Sequence, residues 1–82
     1  MLELMQAITG FGLKDGETND LMDKASNAGE RLVEGKANEA CNKLQELAKR
    51  IDDDGGKKDK LTDAQAAQLT ASVARIRSSL GC

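Results

Sequence analysis

The side chains with the most chemical potential are two thiols, Cys41 and Cys82, and a run of carboxylates, Asp52-Asp53-Asp54-Gly55-Gly56, followed by Asp59 and Asp63. A thiol attacks as the thiolate, and a nearby cation or base must lower its pKa to make one. The chain contains no His, which excludes imidazole acid–base chemistry and imidazole metal ligation. No hydroxyl or thiol stands beside a suitable base, so the expectation is a protein that is not an enzyme. Two readings of the cysteines stay open from the residues alone. They bond each other, or Cys41 packs as a small apolar residue while Cys82 is a tail thiol.

The aspartate run invites a calcium reading. An EF-hand loop places oxygen ligands at positions 1, 3 and 5, Gly at 6 and Glu at 12. Counted from Asp52, position 5 is Gly56, position 6 is Lys57 and position 12 is Asp63. Lys57 and Lys58 inside the segment oppose a cation. The segment therefore reads as a solvated loop, with no metal and no cofactor expected. Gly10-Phe11-Gly12 lacks the Gly-Lys-Ser/Thr ending and the preceding strand of a phosphate loop; Phe11 reads as a plug closing one end of a core. Lys43, Lys49, Arg50, Lys57, Lys58 and Lys60 gather near the same region, interleaved with Asp52, Asp53, Asp54 and Asp59. Mixed signs of this kind describe a solvated surface more than a patch for an anionic polymer.

The elements that must position these groups are helices. Pro is absent and Gly falls at what read as joints. Leu4, Met5, Ile8 and Phe11 mark a short first helix, interrupted by Gly10 and Gly12. Leu13 to Gly16 reads as a connector. A second helix is expected from Thr18 or Asn19 as cap, with Leu21, Ala25, Ala28 and Leu32 on one face and Gly35 at its end. A third runs from about Lys36 to Ile51 on Ala37, Ala40, Cys41, Leu44, Leu47, Ala48 and Ile51. Glu39 with Lys43 and Glu46 with Arg50 are spaced for i,i+4 ion pairs on its outer face. Asp52 to Lys60 is the loop. Thr62-Asp63-Ala64-Gln65 fits a capping box, with Leu61 placed as a staple before it. The fourth helix then carries Ala66, Leu69, Val73, Ile76 and Leu80, and Gly81 closes it.

These elements predict an all-α fold, an up-down-up bundle of three long helices with the short one across an end. The expected core is Leu21, Ala25, Leu32, Leu44, Leu47, Ile51, Leu69, Val73, Ile76 and Leu80. Eighty-two residues make one domain, a size at which burial is limited and stability marginal. With Ile51 opposite Asp63, counting places Cys41 opposite Val73 or Ala74. Cys82 then overshoots by about two turns, roughly 10–12 Å along the axis.

Composition narrows the function classes. The net charge of −2 and a pI near 5.0 argue against nucleic acid, whose binders show a basic face. There is no Trp or Tyr and a single Phe, so the stacking platforms for bases are missing, as are the flat faces common in sugar sites. No apolar run approaches the roughly 20 residues of a membrane span. Met1-Leu2-Glu3-Leu4-Met5 lacks the basic start and long apolar centre of a signal peptide; an export signal, if one exists, is expected upstream or already removed.

Glu34-Gly35-Lys36-Ala37-Asn38-Glu39-Ala40-Cys41-Asn42-Lys43-Leu44, after a helix such as Leu21 to Leu32, resembles the corresponding stretch of FIMAH-type domains. Gly56-Lys57, then Leu61 to Ala66, is similar to that family's loop and the start of its last helix, and Ile76 to Cys82 to its C-terminal end. The resemblance covers nearly the whole chain through motifs that are individually weak and specific in their order. Leu47 stands where the family often has Phe, which bears on packing and not on fold. The resemblance implies a small helical module at or near the C-terminus of secreted multidomain bacterial proteins, with no family set of catalytic or ligand residues. It also favours a Cys41–Cys82 disulfide. The expectation is therefore an extracellular, non-catalytic accessory module. Its partners would be neighbouring domains of a parent protein, cell-surface material or a glycan. A purely structural C-terminal cap or spacer, and an intracellular helical interaction domain, are the competing readings.

Overall fold

The computed structural model describes all residues from Met1 to Cys82. It is all-helical, with four helices and no strand: α1 (Leu2–Gly10), α2 (Asp15–Val33), α3 (Ala37–Asp54) and α4 (Asp63–Leu80). The most extensive packing is α2 on α3, then α3 on α4, while α1 touches both α2 and α4. Each helix thus contacts two others, and the short α1 fills the space between α2 and α4. The molecule measures 36 × 20 × 18 Å.

One cluster forms the core. Leu4 and Ile8 of α1, Leu21, Ala25 and Ala28 of α2, Leu44, Leu47 and Ile51 of α3, Leu61, and Leu69 and Val73 of α4 are all buried. Ile76 and Leu80 pack against it half-buried, as do Phe11 and Leu13. Leu32, expected in the core, stands outside the cluster and is half-buried. It lies on the last turn of α2, where the chain turns away before α3 begins, so its cover is only partial.

Two helix boundaries differ from those expected. The helix predicted from Thr18 begins at Asp15, and the Thr18 N–H is already bonded to the Lys14 carbonyl at 2.9 Å. Asp15 and Glu17 put two carboxylates in its first turn, where the helix dipole favours negative charge without a side-chain cap. The third helix runs on past Ile51 to Asp54, so Asp52 to Asp54 are helical, not loop. The loop shrinks to Gly55–Thr62.

Other signals appear as read. The Gln65 N–H donates to Thr62 Oγ1 at 3.1 Å, and the Thr62 N–H donates to Gln65 Oε1 at 3.0 Å. That is the reciprocal capping box starting α4. Gly35 takes φ +76°, and the Lys36 N–H reaches back to the Arg31 carbonyl at 2.8 Å. This Schellman-type closure turns the chain from α2 into α3 within three residues and is cheap only for glycine.

Cys41 and Cys82 form a disulfide, with Cα atoms 5.9 Å apart. The overshoot expected from counting disappears for two reasons. Gly55 comes up against Ala66, so the register moves by about two turns from the counted one, and Cys41 faces the last turn of α4. Gly81 then adopts a left-handed conformation, and the Cys82 N–H bonds to the Arg77 carbonyl at 2.9 Å, which folds the last residue back along α4.

Candidate functional site

Two places on this frame gather side chains with work to do, one at each end of α2. The first is an apolar groove between α1 and the C-terminal turns of α2. Met1 and Met5 line it from α1, and Ser26, Gly29, Glu30, Leu32, Val33 and Glu34 from α2, around a volume of about 610 Å³. Val33 is 89% exposed and Leu2, on the adjoining helix, 69% exposed. The helical pitch explains the exposure. Leu21, Ala25 and Ala28 direct one face of α2 to the core; Leu32 continues that face past its end, and Val33, about 100° further round the helix, turns away from it. Gly29 lies in the floor, where a Cβ would make ordinary contact with Met1 Cε at 3.9 Å. The thioethers are flexible and polarizable, so the walls can adapt to a guest.

The rim of the groove is acidic. Glu30 makes no ion pair, while Glu34 accepts from Arg31 Nη1 at 2.7 Å. That hydrogen bond, with help from Lys36, holds the Glu34 carboxyl below its usual range, so it stays ionised. Arg31 is itself divided between Glu34 and Glu39, the latter at 3.8 Å.

The second place is an ion cluster where the first turns of α2 meet the last turn of α3, with two buried acids beneath half-exposed partners. Arg50 is its hub. Nε lies 2.9 Å from Asp54 Oδ2 and 3.1 Å from Asp20 Oδ2, and Nη2 lies 3.8 Å from Glu17 Oε1. Lys60 Nζ is 3.5 Å from Asp54 Oδ1. Lys24 holds Asp20 from the outside at 3.3 Å. Glu17 is 7% exposed and Asp54 2%. Burial pushes the Glu17 carboxyl up, and hydrogen bonding to Asp54 and the Asp54 charge push it further, to about 7, against the opposing pull of Lys60 and Arg50. Burial also raises Asp54, but hydrogen bonds from Glu17 and Arg50 and the charges of Arg50 and Lys60 outweigh it, and Asp54 lies below its ordinary value.

Asp54 falls in the segment that reads as a solvated loop, and Glu17 falls in none of the motifs read from the sequence. A signal for both was present. Glu17, Leu21, Ala25 and Ala28 are spaced 4, 4, 3, and Leu44, Leu47, Ile51 and Asp54 are spaced 3, 4, 3. Each acid sits in phase with an apolar stripe, one turn beyond its end. The i,i+4 pairs expected on α3 do not form. Glu39 reaches Arg31 and Lys36, and Lys43 pairs with Glu46 at 3.7 Å. Arg50 turns to the buried acids instead of Glu46, because a charge pair sheltered from solvent is screened less than an exposed one.

Asp52 and Asp53 are exposed on α3, Asp63 opens α4, and Asp59 pairs with Lys14 at 3.4 Å. The candidate calcium ligands are thus spread over three pieces of structure, and no group of three or more acidic or thiol side chains is placed to hold a metal ion. Lys49, Lys57 and Lys58 make no ion pair. No helix is long and apolar enough to cross a membrane. No protein-family model, no curated protein and no solved structure matches the chain.

Proposed function

We propose that this chain is a non-catalytic interaction module that docks a segment of a neighbouring protein domain in the groove between α1 and α2. The observation carrying the proposal is the apolar lining of Met1, Met5, Leu32 and Val33, with Val33 almost fully exposed. Large apolar side chains grouped at one place on a small surface mark sites of association. The acidic rim of Glu30 and Glu34 selects the guest: an amphipathic segment with aliphatic anchors and flanking Lys or Arg. Charge of opposite sign at the edge adds orientation and speed of encounter more than affinity.

In this reading the helices form an up-down-up bundle of the FIMAH type, carried by a secreted multidomain bacterial protein. The disulfide-distance cysteine pair is compatible with an extracellular location, since such bonds persist mainly in oxidising compartments. The lack of Trp and Tyr favours a protein guest over a glycan.

The test is a titration of isotope-labelled protein with two synthetic amphipathic peptides. Both carry the same Leu anchors, one with lysines and one with glutamates on the polar face. The basic peptide should shift amide signals of residues 26–34 and 1–5, the acidic one should not, and Val33→Asp should abolish the response without lowering the melting temperature. If neither peptide perturbs the groove, or if a soluble peptidoglycan fragment binds elsewhere on the molecule, the docking reading fails.

A further inference from the structure

The ion cluster at the other end of α2 is not needed for a docking groove, and its make-up is unusual for a structural ion pair. Three carboxylates, Glu17 and Asp20 from α2 and Asp54 from α3, face Arg50 of α3 and Lys60 of the following turn, with Lys24 attending Asp20 from outside. Lys14 and Asp59 tie the same two pieces together at the surface, 3.4 Å apart. Two carboxylate oxygens of the cluster, Glu17 Oε2 and Asp20 Oδ2, are buried and receive no hydrogen bond; Asp20 Oδ2 has Arg50 Nε 3.1 Å away, whereas the ion-pair contact of Glu17 is 3.8 Å long and falls on its other oxygen. A buried acceptor without a donor is costly. A proton on Glu17 removes the cost, because the carboxyl then becomes a donor and the neighbouring Asp54 carboxylate is there to accept.

Asp54 is also a backbone anchor. Its carbonyl accepts from the Lys57 N–H at 3.2 Å and the Leu61 N–H at 3.4 Å, and the Gly56 N–H bonds to the Leu61 carbonyl at 2.8 Å. This short turn sets Leu61 into the core immediately before α4.

We propose that Glu17 and Asp54 share one proton and act as a latch, clamping the first turns of α2 and the Gly55–Leu61 turn to the end of α3 in mild acid and loosening them above neutrality. The opening step is loss of the Glu17 carboxyl proton to solvent, leaving two buried carboxylates that compete for Arg50 and Lys60. The midpoint near 7 for Glu17 places this step within the range of ordinary environments. Glu17 prefers its proton when folded, so stability is fully present below its ordinary value of 4.5 and is lost as pH rises through 7.

The experiment is denaturant unfolding of the full, oxidised chain at pH 5 and pH 8.5, with Glu17→Gln alongside. The wild-type unfolding constant should rise on the order of 100-fold between the two, and Glu17→Gln, which keeps a neutral donor in place, should remove most of that rise. Exchange of the Gly56 and Leu61 amides, corrected for intrinsic rates, should accelerate over the same interval. A carbon-detected titration of the Glu17 carboxyl in the unmodified protein stands independent of the variant's folding. A midpoint near 7 supports the latch, while a midpoint near 4.5, a flat wild-type profile, or an unchanged slope in Glu17→Gln overturns it.

Discussion

Arg50 shows how one side chain can hold two helices at a point where the apolar stripes run out. It stands at the edge of the structure, about one-third exposed, with Asp54 buried beneath it. Removing Arg50 would leave that carboxylate with Lys60 alone. Breaking a buried pair from one side costs far more than the pair itself contributes. Arg50→Ala is therefore expected to destabilise the fold by about 3 kcal/mol, read from the denaturation midpoint at pH 7. The core residues behave more simply. Leu47 is fully buried in the single cluster, and Leu47→Ala should cost about 2–5 kcal/mol through lost burial and a residual cavity. Leu32→Ala, at a half-buried position outside that cluster, should cost less than half as much in the same measurement. Leu32 reads as core because its spacing continues the stripe of α2, but spacing cannot report where the neighbouring helix begins.

The helix ends divide into those fixed locally and those fixed by distant partners. Thr62 and Gln65 close the start of α4 with two hydrogen bonds inside four residues, so the sequence announces the cap. Thr62→Ala should cost about 1 kcal/mol and fray the first turn of α4, visible as faster amide exchange at Gln65 and Ala66. Asp54 is the opposite case. Three aspartates followed by two glycines read locally as the end of a helix, yet α3 continues through them because Arg50 and Lys60 receive the last carboxylate. Gly55 then brings the chain close to α4: a Cβ there would lie 2.9 Å from the Ala66 Cβ. Two methyl groups cannot share that space, so Gly55→Ala should push α4 outward and lower the melting temperature, whereas Gly16→Ala, with open space around it, should not.

For the molecule as a whole, the disulfide joins the start of α3 to the end of α4 across 41 residues. In the chain-entropy view a loop of that size contributes about 4 kcal/mol, a large share for a domain this small. Denaturation with and without reductant should show that loss, and Cys82→Ser should reproduce it without reductant. The sequence by itself determined the helical class, the number of helices, the joints at Gly35 and Gly81, the capping box and most of the core, because these follow from local backbone preference and the 3.6-residue repeat. It also placed the thiols at the right elements, yet left their pairing to a resemblance. Tertiary structure alone decided the rest. Whether Cys41 meets Cys82 depends on the register between α3 and α4, which the approach of Gly55 to Ala66 sets about two turns from the counted one. Whether Leu32 and Val33 are core or groove depends on where α1 and α3 begin. Whether Glu17 is a surface acid or a proton carrier depends on Asp54, far away in the chain and beside it in space. Periodicity states which residues share a face, and only packing states what that face meets.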